Sequence, residues 1–277
     1  MSNTFLFIIP LTPESNLTPL RKELQQLCFN TLLSQTYSNW KALLIGAFKP
    51  EGTKDNRFIH ISEEGYKELK LQHAVKYIQE TNLKSDYIVR LDDDDLINPS
   101  ILKHYATSQA DVIVDLYQWF VEWESKRVSK DFKPWFANTV LHKSEHALAE
   151  FGEIARLGVT QLNDFTPLIA TNHALMHNYY KGKQIEFLEE EIPIYLRVIN
   201  PDSITSKSDQ SYQDYLRKFG LWKEISPFDF IGLKAVGGIK KDIGRYRFSL
   251  KKWLYTKLSI SKFKSDLKIG VDLMKNK

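Results

Sequence analysis

The sequence contains very little cysteine and no hydrophobic run long enough to cross a bilayer. Cys28 is the single cysteine among 277 residues, which excludes an intramolecular disulfide and a cysteine-based metal site. The apolar run that ends at Pro10 is too short to span a membrane and lacks the features of a secretory signal. We therefore expect a protein that stays in the reducing cytoplasm where it is made.

The chain also lacks an even distribution of charge. Its net charge is +4, but Leu233 to Lys277 contains 13 Lys and Arg against 3 Asp, which leaves the preceding 232 residues at −6. Trp253 and Phe263 lie among these lysines, a pattern that fits a segment lying in membrane headgroups. A helix packed on the domain with a lysine-rich outer face explains it equally well. Nucleic acid is not expected, because no recognised binding module accompanies the charge.

Apolar runs alternate with amphipathic segments, which predicts an α/β fold with parallel strands and right-handed crossovers. Strands are predicted at Phe5–Ile9, Ala42–Ile45, Arg57–Ile61, Tyr87–Leu91, Asp111–Val114, Leu116–Trp123, Ile185–Leu188 and Ile192–Ile199. Helices are predicted from Thr18 to about Gln35, around Leu71–Ile78, and from His173 to Lys181 before Gly182. The polar segment Lys126–Lys133 is predicted to be a connection.

One predicted strand ends abruptly at four successive carboxylates, Asp92–Asp95 (hereafter the aspartate run). Four like charges at one strand end repel each other, and a bound divalent cation is the usual remedy. Open α/β sheets bind ligands just beyond the carboxyl ends of their strands. An aspartate run can also be a solvated loop or a helix cap, but this one directly adjoins the apolar residues Ile88–Leu91. The position favours a metal and ligand site.

Three separated segments resemble the family 2 glycosyltransferases of the GT-A fold, including their rhamnosyltransferase-like branch. Phe7–Pro10 is similar to the opening strand and nucleotide loop of that family, Leu33–Trp40 to its SQTYxNW connection, and Arg90–Asp95 to its LDxDD segment. Their order and spacing match over about the first 105 residues. The resemblance implies a Rossmann-like mixed sheet with flanking helices.

The resemblance also implies a division of the chain. Residues 1–205 would form the catalytic domain, with a nucleotide-binding half at 1–105 and an acceptor half at 106–205. Residues 206–277 would form a helical, basic C-terminal extension.

A donor site and a metal site are implied by the same resemblance. The residues expected to contact the nucleotide sugar are Pro10, Leu11, Thr12, Asp92 and Asp93. The expected ligands of Mn²⁺ or Mg²⁺ are Asp92, Asp94, Asp95 and Asn200. Asn200 stands where many relatives carry a metal-binding histidine, although its amide oxygen still suits a hard cation. Relatives also place aspartates after the second strand, where this chain has Gly46 and Ala47, so base recognition is expected to differ.

An inverting transfer needs a carboxylate or an imidazole to accept the proton of the acceptor hydroxyl. The family's acidic pair falls at Ala170–His173, where no carboxylate is present. His173 is the nearest titratable residue and Asp164 the nearest carboxylate upstream. A helix-start histidine bonded to nearby backbone and an aspartate in a turn before Pro167 are the structural alternatives.

The implied activity is a metal-dependent glycosyltransferase, expected to be inverting, that moves a sugar from a nucleotide-sugar donor to a saccharide or lipid-linked acceptor. Bacterial surface polysaccharide or lipopolysaccharide synthesis at the inner face of the cell membrane is the expected setting. Two alternatives remain. A nucleotidyltransferase is expected to have a basic, glycine-rich loop, and Pro10–Asn16 contains no glycine. A catalytically inactive binding protein with this fold is the other alternative, and the departures at Asn200 and at Gly46 and Ala47 are consistent with it.

Overall fold

The computed structural model describes residues 2–123, 127–132, 134, 135, 138, 140–151, 166–171, 173–188 and 193–202. The described strands are β1 (Phe5–Pro10), β2 (Trp40–Gly46), β3 (Phe58–Ser62), β4 (Tyr87–Arg90), β5 (Leu96–Ile97), β6 (Val112–Val114), β7 (Tyr117–Glu122), β8 (Arg127–Phe132), β9 (Val140–Lys143), β10 (Ile185–Phe187) and β11 (Tyr195–Ile199). The described helices are α1 (Pro19–Leu33), α2 (Lys67–Thr81), α3 (Ile101–His104), α4 (Ser144–Ala147) and α5 (His173–Tyr179).

The strands form two sheets. The larger one has seven strands in the order β10-β6-β9-β4-β1-β2-β3, in which β9 runs antiparallel to both of its neighbours and the other pairs are parallel. The smaller sheet has the order β5-β11-β7-β8. The predicted α/β fold class is confirmed: a mixed sheet flanked by helices, as expected for the GT-A type.

Strand β1 is buried on both faces, because each of its faces is covered by a helix. Phe7 and Ile9 pack in one core cluster with Cys28, Phe29 and Leu32 of α1. Alternate residues of β1, Leu6 and Ile8, pack on the other side with Leu71, Ala74, Val75 and Ile78 of α2. The two-residue period of the strand and the 3.6-residue period of the helices explain this arrangement.

Helix α1 begins as the sequence predicts. The Thr18 hydroxyl accepts a hydrogen bond from the Arg21 N–H at 3.2 Å, and Pro19 occupies the first helical position, where its missing N–H carries no cost. These contacts fix the direction in which α1 leaves the β1–α1 loop (Leu11–Thr18). They therefore determine which residues of α1 approach the end of β4.

One prediction for the second half is wrong. The connection predicted at Lys126–Lys133 is instead a strand over Arg127–Phe132, β8, which pairs antiparallel with β7. An edge strand does not need a continuous apolar sequence, which explains why its polar composition is misleading.

The predicted extension 206–277 lies outside the described residues, so the proposed division of the chain stays a prediction. Within the part that is described, no helix combines the length and apolar character needed to cross a bilayer.

Candidate functional site

The aspartate run and the β1–α1 loop meet at one edge of the large sheet. Strands β1 and β4 are parallel neighbours, so their carboxyl ends lie side by side. The Leu91 N–H donates to the Ile8 carbonyl at 3.1 Å, which extends the pairing up to the start of the run. From there the Asp93 carboxylate accepts hydrogen bonds from the Thr12 N–H at 2.7 Å and the Thr12 hydroxyl at 2.8 Å.

Helix α1 also contributes a hydrogen bond to Asp93. The Gln25 side-chain amide donates to Asp93 Oδ2 at 2.7 Å, and only 4% of Asp93 is exposed. Three donors from two elements therefore converge on one buried carboxylate. Asp93 fixes the conformation of the β1–α1 loop, while its predicted contact with a donor stays a prediction.

Asp95 is also buried, but it faces the smaller sheet. Its Oδ1 accepts the Val198 N–H of β11 at 2.9 Å, and its Oδ2 lies 3.5 Å from the Asn138 side-chain amide. Burial, with the charges of Asp94 and Asp92, raises the pKa of Asp95 well above its ordinary value. Asp95 thus joins the two sheets directly behind the site.

Asp92 and Asp94 are the partly exposed members of the run, and each is paired with a cation. The Lys67 ammonium, at the first residue of α2, contacts Asp92 Oδ1. The Arg21 guanidinium of α1 lies 3.1 Å from Asp94 Oδ2. The alternation along the run therefore places two carboxylates at the open edge and two in the interior.

The two outer carboxylates have opposite pKa shifts. Burial alone raises the pKa of Asp92, but the charges of Lys67 and Arg90 and the hydrogen bond from Lys67 outweigh it, so the pKa lies below the usual range. Burial and the adjacent Asp93 raise the pKa of Asp94 to about 6, with Arg21 opposing them. The charged form of Asp94 is therefore less favourable than that of an exposed aspartate.

Leu11 adopts its position because Gly46 has no side chain. A Cβ atom added to Gly46 would lie 2.7 Å from Leu11 Cβ, closer than side chains approach each other. The Leu11 N–H donates to the Ile45 carbonyl at 2.8 Å, and its carbonyl accepts from the Lys70 ammonium at 2.7 Å. The glycine at the end of β2 thus allows close contact with the loop.

Three predicted site residues remain, namely Asn200, His173 and Asp164. Asn200 directly follows β11 and is completely buried. His173 is the first residue of α5, but its side chain is outside the described part of the structure. Asp164 lies outside the described residues, so neither candidate base is tested.

A second cluster of titratable residues lies at the opposite edge of the large sheet. Ligand atoms of Asp111, Glu145 and His146 lie within 4.8 Å of one another. Asp111 precedes β6, and the other two follow β9, which puts them at the amino ends of the parallel strands. The Lys143 ammonium lies 3.9 Å from Asp111 and 3.7 Å from Glu145, so these carboxylates, like Asp92 and Asp94, lie beside a cation.

The sequence matches no family model and no curated protein. Among solved structures, the fold is similar to TarS from S. aureus (residues 1–349), at 12% identity and a TM-score of 0.44, covering 79% of this chain and 64% of that one. This chain therefore spans less than two thirds of that structure.

Two further solved structures show a similarly distant likeness. An inositol-1-phosphate CTP transferase from T. maritima has 11% identity and a TM-score of 0.40, with 78% and 97% of the two chains covered. Rv0371c from Mycobacterium tuberculosis, in complex with manganese, has 12% identity and a TM-score of 0.40, covering 78% and 100%. None of these likenesses is near enough to assign a function to this chain.

The sequence motifs do not reveal the cations of the site or the Gln25 amide. Arg21 and Gln25 are separated by one helical turn and share a buried face with Cys28 and Leu32, so two polar residues interrupt a stripe that is otherwise apolar. That interruption is the signal that could have identified them. Lys67 gives no comparable signal, because its contact with Asp92 depends on where α2 begins relative to β4.

The outer carboxylates suit a hard divalent cation. Carboxylate oxygens are the preferred ligands of Mg²⁺ and Mn²⁺, and Asp92 and Asp94 present theirs at the open edge. The crowding of four adjacent carboxylates, with Asp94 and Asp92 paired to Arg21 and Lys67, supports this fit. The oxygens of Asp95 are engaged by Val198 and Asn138 in the interior, so Asp92 and Asp94 are the residues that would hold the ion.

We expect Mn²⁺ binding to weaken as the pH falls through about 6. A metal ligand must be deprotonated, and Asp94 has a pKa of about 6, so below that pH the affinity should fall about tenfold per pH unit. Electron paramagnetic resonance titrations of Mn²⁺ from pH 5 to 8 measure this. An affinity that does not change between pH 5 and 7 would contradict the assignment of Asp94 as a ligand.

The same pKa predicts how metal-free stability depends on pH. An aspartate of the unfolded chain has a pKa near 4, so the raised value in the folded state contributes stability below about pH 4, and this contribution is lost as the pH rises through 6. The difference in unfolding free energy between the wild type and Asp94→Asn should therefore change across this interval. A constant difference would argue against the raised pKa.

Proposed function

We propose that the protein is a metal-dependent glycosyltransferase that moves a sugar from a nucleotide-sugar donor to a saccharide or lipid-linked acceptor. The observation that carries this proposal is the aspartate run at the carboxyl edge of the sheet. Its inner carboxylates fix the surrounding backbone, and its outer carboxylates face the open edge beside Thr12. Ligands of open α/β sheets bind at such an edge.

The residues of this edge supply complementary parts of a donor site. Asp92 and Asp94 would hold the Mg²⁺ or Mn²⁺ ion, which when bound would neutralise charge that develops on the departing nucleoside diphosphate. The Lys67 ammonium and the Arg21 guanidinium lie next to these carboxylates and can bind phosphate oxygens. Pro10 and Leu11 line the start of the loop that we propose borders the base and ribose.

The acceptor side of the proposal rests on the sequence. We retain His173 and Asp164 as candidates for the base that accepts the proton of the acceptor hydroxyl in an inverting transfer. The basic segment Leu233–Lys277 supports an acceptor at an anionic membrane surface, consistent with polysaccharide or lipopolysaccharide assembly and a peripheral location.

Calorimetric titration with UDP, GDP, CDP, ADP and dTDP, each with and without Mn²⁺, tests the proposal. We expect one of these nucleotides to bind at micromolar concentration only when the ion is present. The matching nucleotide sugars should then release the nucleoside diphosphate. Release of pyrophosphate from a nucleoside triphosphate would instead indicate a nucleotidyltransferase, and no binding of any nucleotide would indicate an inactive protein.

A further inference from the structure

Arg21 connects three segments that are distant in sequence. Its Nη2 lies 3.1 Å from both the Thr12 hydroxyl and Asp94 Oδ2, and its Nη1 donates to the Asp202 carbonyl at 3.1 Å. Asp202 follows β11, and its carboxylate accepts from the Thr18 hydroxyl at 2.5 Å. One guanidinium thus joins the β1–α1 loop, the aspartate run and the end of the smaller sheet.

The guanidinium is nearly inaccessible and yet incompletely bonded. Only 6% of Arg21 is exposed, and its Nε–H finds no acceptor in the described parts of the chain. A buried donor without an acceptor costs about 1–3 kcal/mol, and such groups are uncommon in folded proteins. The unbonded N–H is therefore a donor that the acceptor atom of a ligand could satisfy.

The present partner of Arg21 is also a residue that we assign to the metal. Nη2 contacts Asp94 Oδ2, one of the two oxygens through which Asp94 would bind a divalent ion. A guanidinium and a divalent cation repel each other at such a separation. Binding of an ion to Asp92 and Asp94 would therefore compete with this contact.

We propose that Arg21 is a displaceable counter-ion of Asp94, which leaves the carboxylate when a divalent cation binds there and then holds the diphosphate of the donor. This inference rests on the proposed function. The planar guanidinium matches two phosphate oxygens at once, and Nε supplies a donor that is still unused. Ion binding and diphosphate binding are consequently coupled through one side chain, which also contacts the β1–α1 loop.

Mn²⁺ binding to Arg21→Gln, measured by electron paramagnetic resonance without nucleotide, tests the first half of the inference. Removing the competing charge should tighten Mn²⁺ binding about tenfold, the effect of a charge-assisted hydrogen bond. With saturating Mn²⁺, calorimetry should show the nucleoside diphosphate bound at least about tenfold more weakly than by the wild type. Lys22→Gln is the matched control, because Lys22 is an exposed cation on the same helix and should change neither affinity.

Unchanged or weaker Mn²⁺ binding by Arg21→Gln would overturn the counter-ion role, and unchanged diphosphate affinity would overturn the second role. Should Arg21→Gln fail to fold, Arg21→Lys is the substitute, because it keeps the charge but removes the planar guanidinium. It should leave Mn²⁺ affinity near the wild-type value while weakening diphosphate binding. Wild-type protein that binds no nucleotide would sink the proposed function and the second role. Tighter Mn²⁺ binding by Arg21→Gln would even then support the counter-ion.

Discussion

Asp94→Asn is expected to lower turnover of the donor about a thousandfold or more while leaving the protein at least as stable as the wild type. Asparagine keeps the size of the side chain and an oxygen that can accept from Arg21, but it removes the charge that we assign to the ion. Metal stabilisation of developing charge is worth several kcal/mol, and about 4 kcal/mol corresponds to a thousandfold in rate.

Stability should behave differently because the Asp94 carboxylate is unfavourable in the folded protein. Burial and the adjacent Asp93 raise its pKa to about 6, so a neutral amide relieves repulsion at neutral pH. Release of nucleoside diphosphate and thermal unfolding, measured on the same preparation, separate the two effects. Asp55→Asn, which changes a carboxylate paired with Arg57 away from the aspartate run, is the control and should retain wild-type turnover. Turnover that survives in Asp94→Asn would refute the assignment.

Asp93→Ala is expected to lower stability strongly, whereas Asp94→Asn is expected to lower turnover and leave stability intact. The substitution leaves the part-buried Thr12 N–H and hydroxyl and the buried Gln25 amide without the acceptor that they share. Each unsatisfied buried donor costs about 1–3 kcal/mol, and relief of the repulsion with Asp94 offsets part of this. We expect a net loss of about 3 kcal/mol in the free energy of unfolding, measured by urea denaturation.

Gln25→Ala is the matched comparison for Asp93→Ala. It removes one donor and leaves the carboxylate bonded to Thr12, so we expect a loss of about 1 kcal/mol. If Asp93→Ala were no less stable than Gln25→Ala, the carboxylate would not be what fixes the β1–α1 loop. The distinction between a structural Asp93 and a metal-binding Asp94 would then not hold.

The first half of the fold was predictable because its signals are local. Strands β1, β2 and β4 are apolar runs buried on both faces, and α1 carries its own cap and proline. The second half was less predictable. Strand β5 has only two residues, and β8 is a polar edge strand, so each is defined by its partner strand and not by its own sequence pattern.

The position of the aspartate run was predictable in the same way, since charge following an apolar strand marks the edge of a core. Which carboxylates of the run are buried and which lie at the open edge was not predictable. Asp93 points inward because Thr12 and Gln25 supply donors to it, and Asp95 does so because Val198 supplies one. The pairing of Asp94 with Arg21 joins residues 73 positions apart, and such a contact arises from tertiary packing alone.

The position of a bound Mn²⁺ ion, located by anomalous diffraction from crystals grown with Mn²⁺ and a nucleoside diphosphate, is the measurement closest to the central claim. We expect one anomalous peak within about 2.5 Å of carboxylate oxygens of Asp92 or Asp94, with the diphosphate beside it and Arg21 turned away from Asp94. A peak only at Asp111, Glu145 and His146, or none at the aspartate run, would contradict the claim that this run holds the ion and the donor.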